Sequence, residues 1–146
     1  MIDKKHIGKV LPSFTAVAEA GQLRFFAKAI GETNPVYFDE SAARAAGHPS
    51  LPLPPTFLFS IELTSGSNAW IDEIGVEVPR MLHGEQQFTY HRTAHAGDAL
   101  TYESRIADIY DKKGGALQFV VRETRVTNGK GEHVADLHSV LVQRNG

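Results

Sequence analysis

The chain predicts an α+β fold in which an antiparallel sheet wraps around a central buried helix. Three observations lead there. Residues Thr56 to Ser65 form a helix-length run that is apolar on nearly every side except at Glu62, and a helix hydrophobic all round is a buried one. From Arg80 onward the hydrophobic period becomes two, the signature of half-buried strands. The period-two runs are separated by Ala96-Gly97-Asp98, Lys113-Gly114-Gly115 and Asn128-Gly129-Lys130-Gly131. Asn-Gly is a hairpin signal, because both residues tolerate positive φ.

The elements follow in order. Lys9 to Val17 reads as a weak strand interrupted by Pro12. Ala18 to Ile30 reads as an amphipathic helix, with Gln22, Phe25, Phe26, Ala29 and Ile30 on one face. Gly31 ends it and Pro35 forbids its continuation. A short helix runs from the capping residue Asp39 to Gly47. His48 to Pro55 holds four prolines in eight residues and must be extended. After the apolar helix, Ser67 to Gly75 reads as a short, capped, partly exposed helix with Trp70 and Ile71. Four strands follow over Arg80–Arg92, Ala99–Tyr110, Leu117–Thr127 and His133–Gln143, expected as a meander sharing one core. The first places Leu82, Phe88 and Tyr90 on one face and His83 with Glu85 on the other.

The 146 residues make one domain, 1–146, and its 42% hydrophobic and 22% charged content is that of an ordinary globular chain. A formal net charge of -2 gives no basis for a nucleic-acid surface. There is no cysteine, which removes disulfides, thiolate metal ligands and thiol nucleophiles. No apolar run approaches the ~20 residues a membrane span needs, and no signal peptide is visible. The expected setting is the cytoplasm. His91, His95, His133 and His138 show no metal-ligand spacing, so no metal site is expected.

The stretch Gly31-Glu32-Thr33-Asn34-Pro35-Val36-Tyr37 is a backbone-defined turn that displays polar side chains on a rigid frame. Together with the Pro54-Pro55-Thr56-Phe57 approach to the apolar helix, Leu82-His83-Gly84-Glu85-Gln86, Tyr90-His91-Arg92 and Ala96-Gly97-Asp98, it resembles the MaoC-like dehydratase/hydratase family. The likeness is to the N-terminal MaoC-type, FAS1-like dehydratase domain, and it spans nearly the whole chain. The resemblance implies a hot-dog fold. It also implies (R)-specific 3-hydroxyacyl-CoA or acyl-carrier-protein dehydration, or the reverse enoyl hydration, with coenzyme A or phosphopantetheine as carrier and no other cofactor. Hot-dog dimers are usual in the family, and an open sheet edge calls for a partner on physical grounds as well.

In catalytic members the turn reads Gly-Asp-X-Asn-Pro-X-His, and the Asp and His activate water. Here Gly31, Asn34 and Pro35 fit, while Glu32 stands at the Asp position and Tyr37 at the His position. Asn34 is expected to bond its own turn and aim Glu32 and Tyr37 the same way. A phenol titrates near ~10 and is a weak base at neutral pH. His83, with Glu85 two residues on, is the alternative base. Pro55 has no N–H, so an oxyanion donor must come from Thr56 or Phe57. His48 is placed at the mouth of the site, and Arg92 (with Arg80) is placed to meet a carrier phosphate. Asp98 reads as turn chemistry.

Three functions follow from these residues. The first is a dehydratase using Glu32 with Tyr37 or His83. The second is a non-catalytic acyl-binding subunit paired with a chain that carries the Asp/His turn. The third is an acyl-CoA thioesterase.

Overall fold

In the computed structural model, which describes residues 1–146, nine principal elements follow one another. They are β1 (Phe14–Val17), α1 (Ala20–Ala29), α2 (Glu40–Ala45), α3 (Phe57–Ser65), α4 (Ala69–Glu73), β2 (Met81–Tyr90), β3 (Ala99–Lys112), β4 (Leu117–Thr127) and β5 (His133–Arg144). The strands make one antiparallel sheet in the order β1-β3-β4-β5-β2. This is the α+β hot-dog architecture, with α3 lying against the sheet.

The strands are not a simple meander. β2 pairs with β5 and never with β3. The link between β2 and β3 is not a hairpin. It bonds instead to the proline-rich segment, with Leu53 N–H on Ala94 O at 2.9 Å and Ala96 N–H on Leu51 O at 2.8 Å. The first predicted strand shrinks to Phe14–Val17, and upstream of Pro12 only a single bridge, Val10 to Arg105, joins the sheet.

Packing changes other expectations. α1 buries Leu23 and Ala27, whereas Phe25 is 77% exposed. At 3.6 residues per turn Leu23 and Phe25 stand on opposite sides of the helix, about 200° apart, so α1 is turned well away from the predicted face, of which only Phe26 is partly buried against the core. Trp70 and Ile71 of α4 are buried. They belong to a second hydrophobic cluster with Ile2, Leu11, Ile106, Ile109, Val120 and Leu141. The larger cluster gathers Leu51, Phe57, Leu58, Ile61, Leu100, Tyr102, Val126 and Leu137.

A polar belt divides the two clusters. Inward-facing positions on β4 run Val120, Arg122, Thr124, Val126, all buried. Arg122 pairs with Glu62 of α3 at 2.6 Å and sits 5.4 Å from the Trp70 ring. Thr124 also donates to Glu62, and Ser104 meets Thr124 at 2.7 Å. Glu62, the one charged position on the apolar helix, is therefore among the most buried side chains, at 2% exposure. Burial pulls the Arg122 guanidinium below its ordinary value, and Glu62 opposes that pull. The face of α3 that stays open carries Leu63, 48% exposed.

Candidate functional site

The polar turn forms as its sequence dictates. Gly31 takes φ +75°, a conformation that costs glycine nothing. Glu32 N–H returns to Ala27 O at 2.9 Å. Asn34 Oδ1 accepts from Val36 N–H at 3.2 Å and caps the 3-10 turn Pro35–Tyr37. The Glu32 carboxylate accepts from the N–H groups of Thr33 (2.9 Å) and Asn34 (3.0 Å). Glu32 thus closes its own turn. Asn34 and Tyr37 line the neighbouring cavity, and Glu32 does not, so the turn does not aim Glu32 and Tyr37 together.

That cavity, of about 650 Å³, lies beside the N-terminal end of α3. Tyr37, His48, Pro55, Tyr90 and Arg92 are among its walls. Arg92 is held by Glu132 at 3.1 Å. His48 Nδ1 meets His95 Nε2 at 2.9 Å, so the two rings share one proton between them. Burial and the nearby His48 hold the His95 imidazole below its ordinary value, against the opposing pull of Asp98. Asp98 accepts from His95 N–H at 2.8 Å, which is turn chemistry.

The first turn of α3 is tied to the sheet by two tyrosines. Tyr102 donates to Leu58 O at 2.9 Å, and Tyr90 donates to Pro55 O. Burial, and secondarily Tyr37 beside it, push the Tyr90 phenol well above the usual tyrosine range. It remains a donor at neutral pH and is no base. Of the two candidate oxyanion donors, Phe57 is spent, because its N–H bonds Pro54 O at 2.9 Å. The N–H groups of Thr56 and Leu58 make no such bond. Thr56 is therefore the candidate donor that keeps its capacity.

His83 is not part of this cavity. Gly84 is an extra residue in β2, where the register with β5 slips between His83 and Glu85. The slip puts His83 opposite Leu141, on the inner face, and Glu85 opposite Val140, on the outer one. His83 packs its ring against Phe59 at 4.7 Å and lines a separate small apolar pocket. The expected His83–Glu85 pairing fails because a bulge inverts strand parity. Arg80 pairs with Glu77 at 3.4 Å, outside the cavity.

Two arrangements have no local signal in the sequence. Tyr90 sits at the end of β2, and nothing local in sequence tells that its hydroxyl reaches Pro55. His91, His133 and Asp136 converge although their spacing fits no ligand pattern.

The chain belongs to the FAS1-like dehydratase family, whose dehydratase domain region matches residues 5–137. It is 38% identical over 146 residues to a UPF0336 protein of Streptomyces coelicolor, covering 98% of this chain and 95% of that one. Among solved structures it resembles the C-terminally truncated HadBC (3R-hydroxyacyl-ACP dehydratase) complex of Mycobacterium tuberculosis. That likeness has a TM-score of 0.83 at 25% identity and covers 97% of this chain and 99% of that one. The fold is shared with the R-hydratase PhaJ1 of Pseudomonas aeruginosa, at a TM-score of 0.68 and 22% identity over 96% of this chain and 83% of that one. The family is thus a dehydratase family, and the two structures carry the names of a dehydratase complex and a hydratase.

Proposed function

We propose that the chain is the acyl-thioester-binding subunit of a two-chain (R)-3-hydroxyacyl dehydratase, working in the cytoplasm. Its substrate is an acyl group carried on coenzyme A or phosphopantetheine, and the reaction draws on no further cofactor. One observation carries this reading. At the expected base position the Glu32 Oε1 accepts from both the Thr33 and the Asn34 N–H groups, which ties the side chain back to its own turn, and Glu32 is not among the residues that line the cavity.

The cavity is furnished to bind. Next to Pro55 on the cavity wall, the Thr56 N–H at the start of α3 suits a thioester carbonyl, where the helix dipole adds to the attraction. Tyr37 supplies a phenol donor, and Arg92 suits a carrier phosphate. The base that takes the α-proton and the water-binding pair then come from a partner hot-dog subunit. Support for a partner is threefold: β2 leaves the sheet edge open, Leu63 leaves α3 half covered, and the HadBC neighbour is itself a two-chain complex.

The rival reading is a self-sufficient homodimer, in which His48, one of two imidazoles on the cavity wall with His91, provides the base. Titration of the purified chain with an enoyl thioester separates the two. The proposal expects saturable binding without turnover, weakened about tenfold by Arg92→Ala, the equivalent of ~1.4 kcal/mol. Turnover abolished by His48→Asn establishes the homodimer instead.

A further inference from the structure

We infer that His91, His133 and Asp136 form, independently of the proposed acyl binding, a site for a borderline divalent transition ion at the rim of the cavity. Zinc is the representative ion.

Two of the three residues are brought together by a fault in strand pairing. His133 and Asp136 are three apart, which in a regular strand puts them on opposite faces. The β4–β5 register runs Val126 to Ala135 and then Thr127 to His133, leaving Val134 as an extra residue. This bulge restores His133 to the face of Asp136. The third residue is pinned by the same bulge, because the N–H groups of His91 (2.8 Å) and Arg92 (3.1 Å) both donate to Val134 O.

The donor atoms converge. His91 Nε2 lies 2.9 Å from Asp136 Oδ2, and His133 Nε2 lies 2.8 Å from Asp136 Oδ1. The two imidazoles stand with ring centres 4.2 Å apart. One ligand atom from each residue falls within 4.8 Å of the others. Asp136 also lies directly opposite Arg125 on β4, yet its ion pairs are with the two histidines and not with that arginine. The carboxylate is thus committed to the imidazoles.

Two imidazoles and one carboxylate favour zinc, nickel or copper(II) over magnesium or calcium, which prefer all-oxygen cages. Tetrahedral bonds of ~2.0–2.1 Å need donor separations of about 3.3 Å. The two nitrogen–carboxylate separations open by roughly half an ångström to admit the ion, and the two imidazole nitrogens, which lie within 4.8 Å of each other, come to the same spacing by ring rotation at the strand ends. The proton that each Nε2 now donates to Asp136 moves to Nδ1 or to solvent, freeing the lone pair. A bound ion would staple the exit of β2 to the start of β5, next to Arg92 on the cavity wall.

The test is calorimetric titration of the untagged full-length protein with zinc chloride and with magnesium chloride, followed by thermal unfolding with and without zinc. We expect one saturable zinc site, none for magnesium, and a Tm that rises with zinc. Asp136→Asn and His133→Asn each remove the zinc binding and the rise, while His138→Asn keeps both. Asp136→Asn guards against misfolding, since its own Tm without metal reports whether it folds. Zinc binding that survives in both variants, or no saturable binding in the wild type, overturns the inference and leaves the cluster as a carboxylate bridging two imidazoles.

Discussion

The Tyr90 hydroxyl donates to the Pro55 carbonyl, joining the last residue of β2 to the residue that enters α3. That carbonyl is free because Phe59 N–H bonds Thr56 O instead, at 3.2 Å. The helix end beside the cavity is therefore positioned from the sheet. Tyr90→Phe removes the bond and costs about 1 kcal/mol of unfolding free energy. Urea denaturation reads this as a lower midpoint at unchanged slope.

The polar belt gives a sharper prediction. Glu62 and Arg122 are both buried and paired with each other. Arg122→Leu alone leaves a buried carboxylate uncompensated and costs roughly 3–5 kcal/mol. The double variant Glu62→Leu/Arg122→Leu regains most of that loss, because removing both partners leaves no orphan charge. A double-mutant cycle by chemical denaturation measures the difference.

Much of this architecture is legible in the sequence. The apolar run from Thr56, the helix stop at Gly31 and the period-two strands are local signals, and each marks a real element. What the sequence conceals is non-local. Gly84 and Val134 each shift strand parity by one, and a one-residue slip moves every later side chain to the other face. The pairing of His83 with Glu85 is lost this way, and the meeting of His133 with Asp136 is hidden by it. Glu62 reads as the polar exception on an apolar helix because its partner Arg122 lies 60 residues away on β4. The buried side of α1 is hidden as well, because Leu23 and Phe25 are both apolar and stand on opposite sides of the helix, so only tertiary packing decides which one turns inward.

The bulge itself can be tested. A Cβ at Gly84 would meet Val142 Cγ2 at 2.6 Å and Val140 O at 3.3 Å. Valine is stiff at χ1 and cannot swing aside freely. Gly84→Ala is expected to cost about 1–3 kcal/mol, read as a lower Tm in calorimetry.

Stability should fall toward acid pH through His95. Its folded-state pKa is depressed, first by burial and then by His48, so the unfolded chain binds the proton more readily. Stability is intact above the ordinary histidine value of about 6.5 and declines as pH drops through and below it. His95→Asn is expected to flatten the Tm profile from mildly alkaline to mildly acidic pH. An unchanged slope would assign the acid sensitivity to other groups.

The central claim is that this chain binds an acyl thioester but does not itself supply the base. The most direct measurement is absorbance at the enoyl-thioester band with crotonyl-CoA and a longer enoyl-CoA. It is made at high protein concentration for the wild type, for Glu32→Ala, and for the wild type mixed with a hot-dog subunit that carries the Asp/His turn. The account predicts a flat band for both single chains and a decaying band for the mixture. A band that decays with the wild type alone and stays flat with Glu32→Ala would contradict it, and would make Glu32 the base of a self-sufficient hydratase.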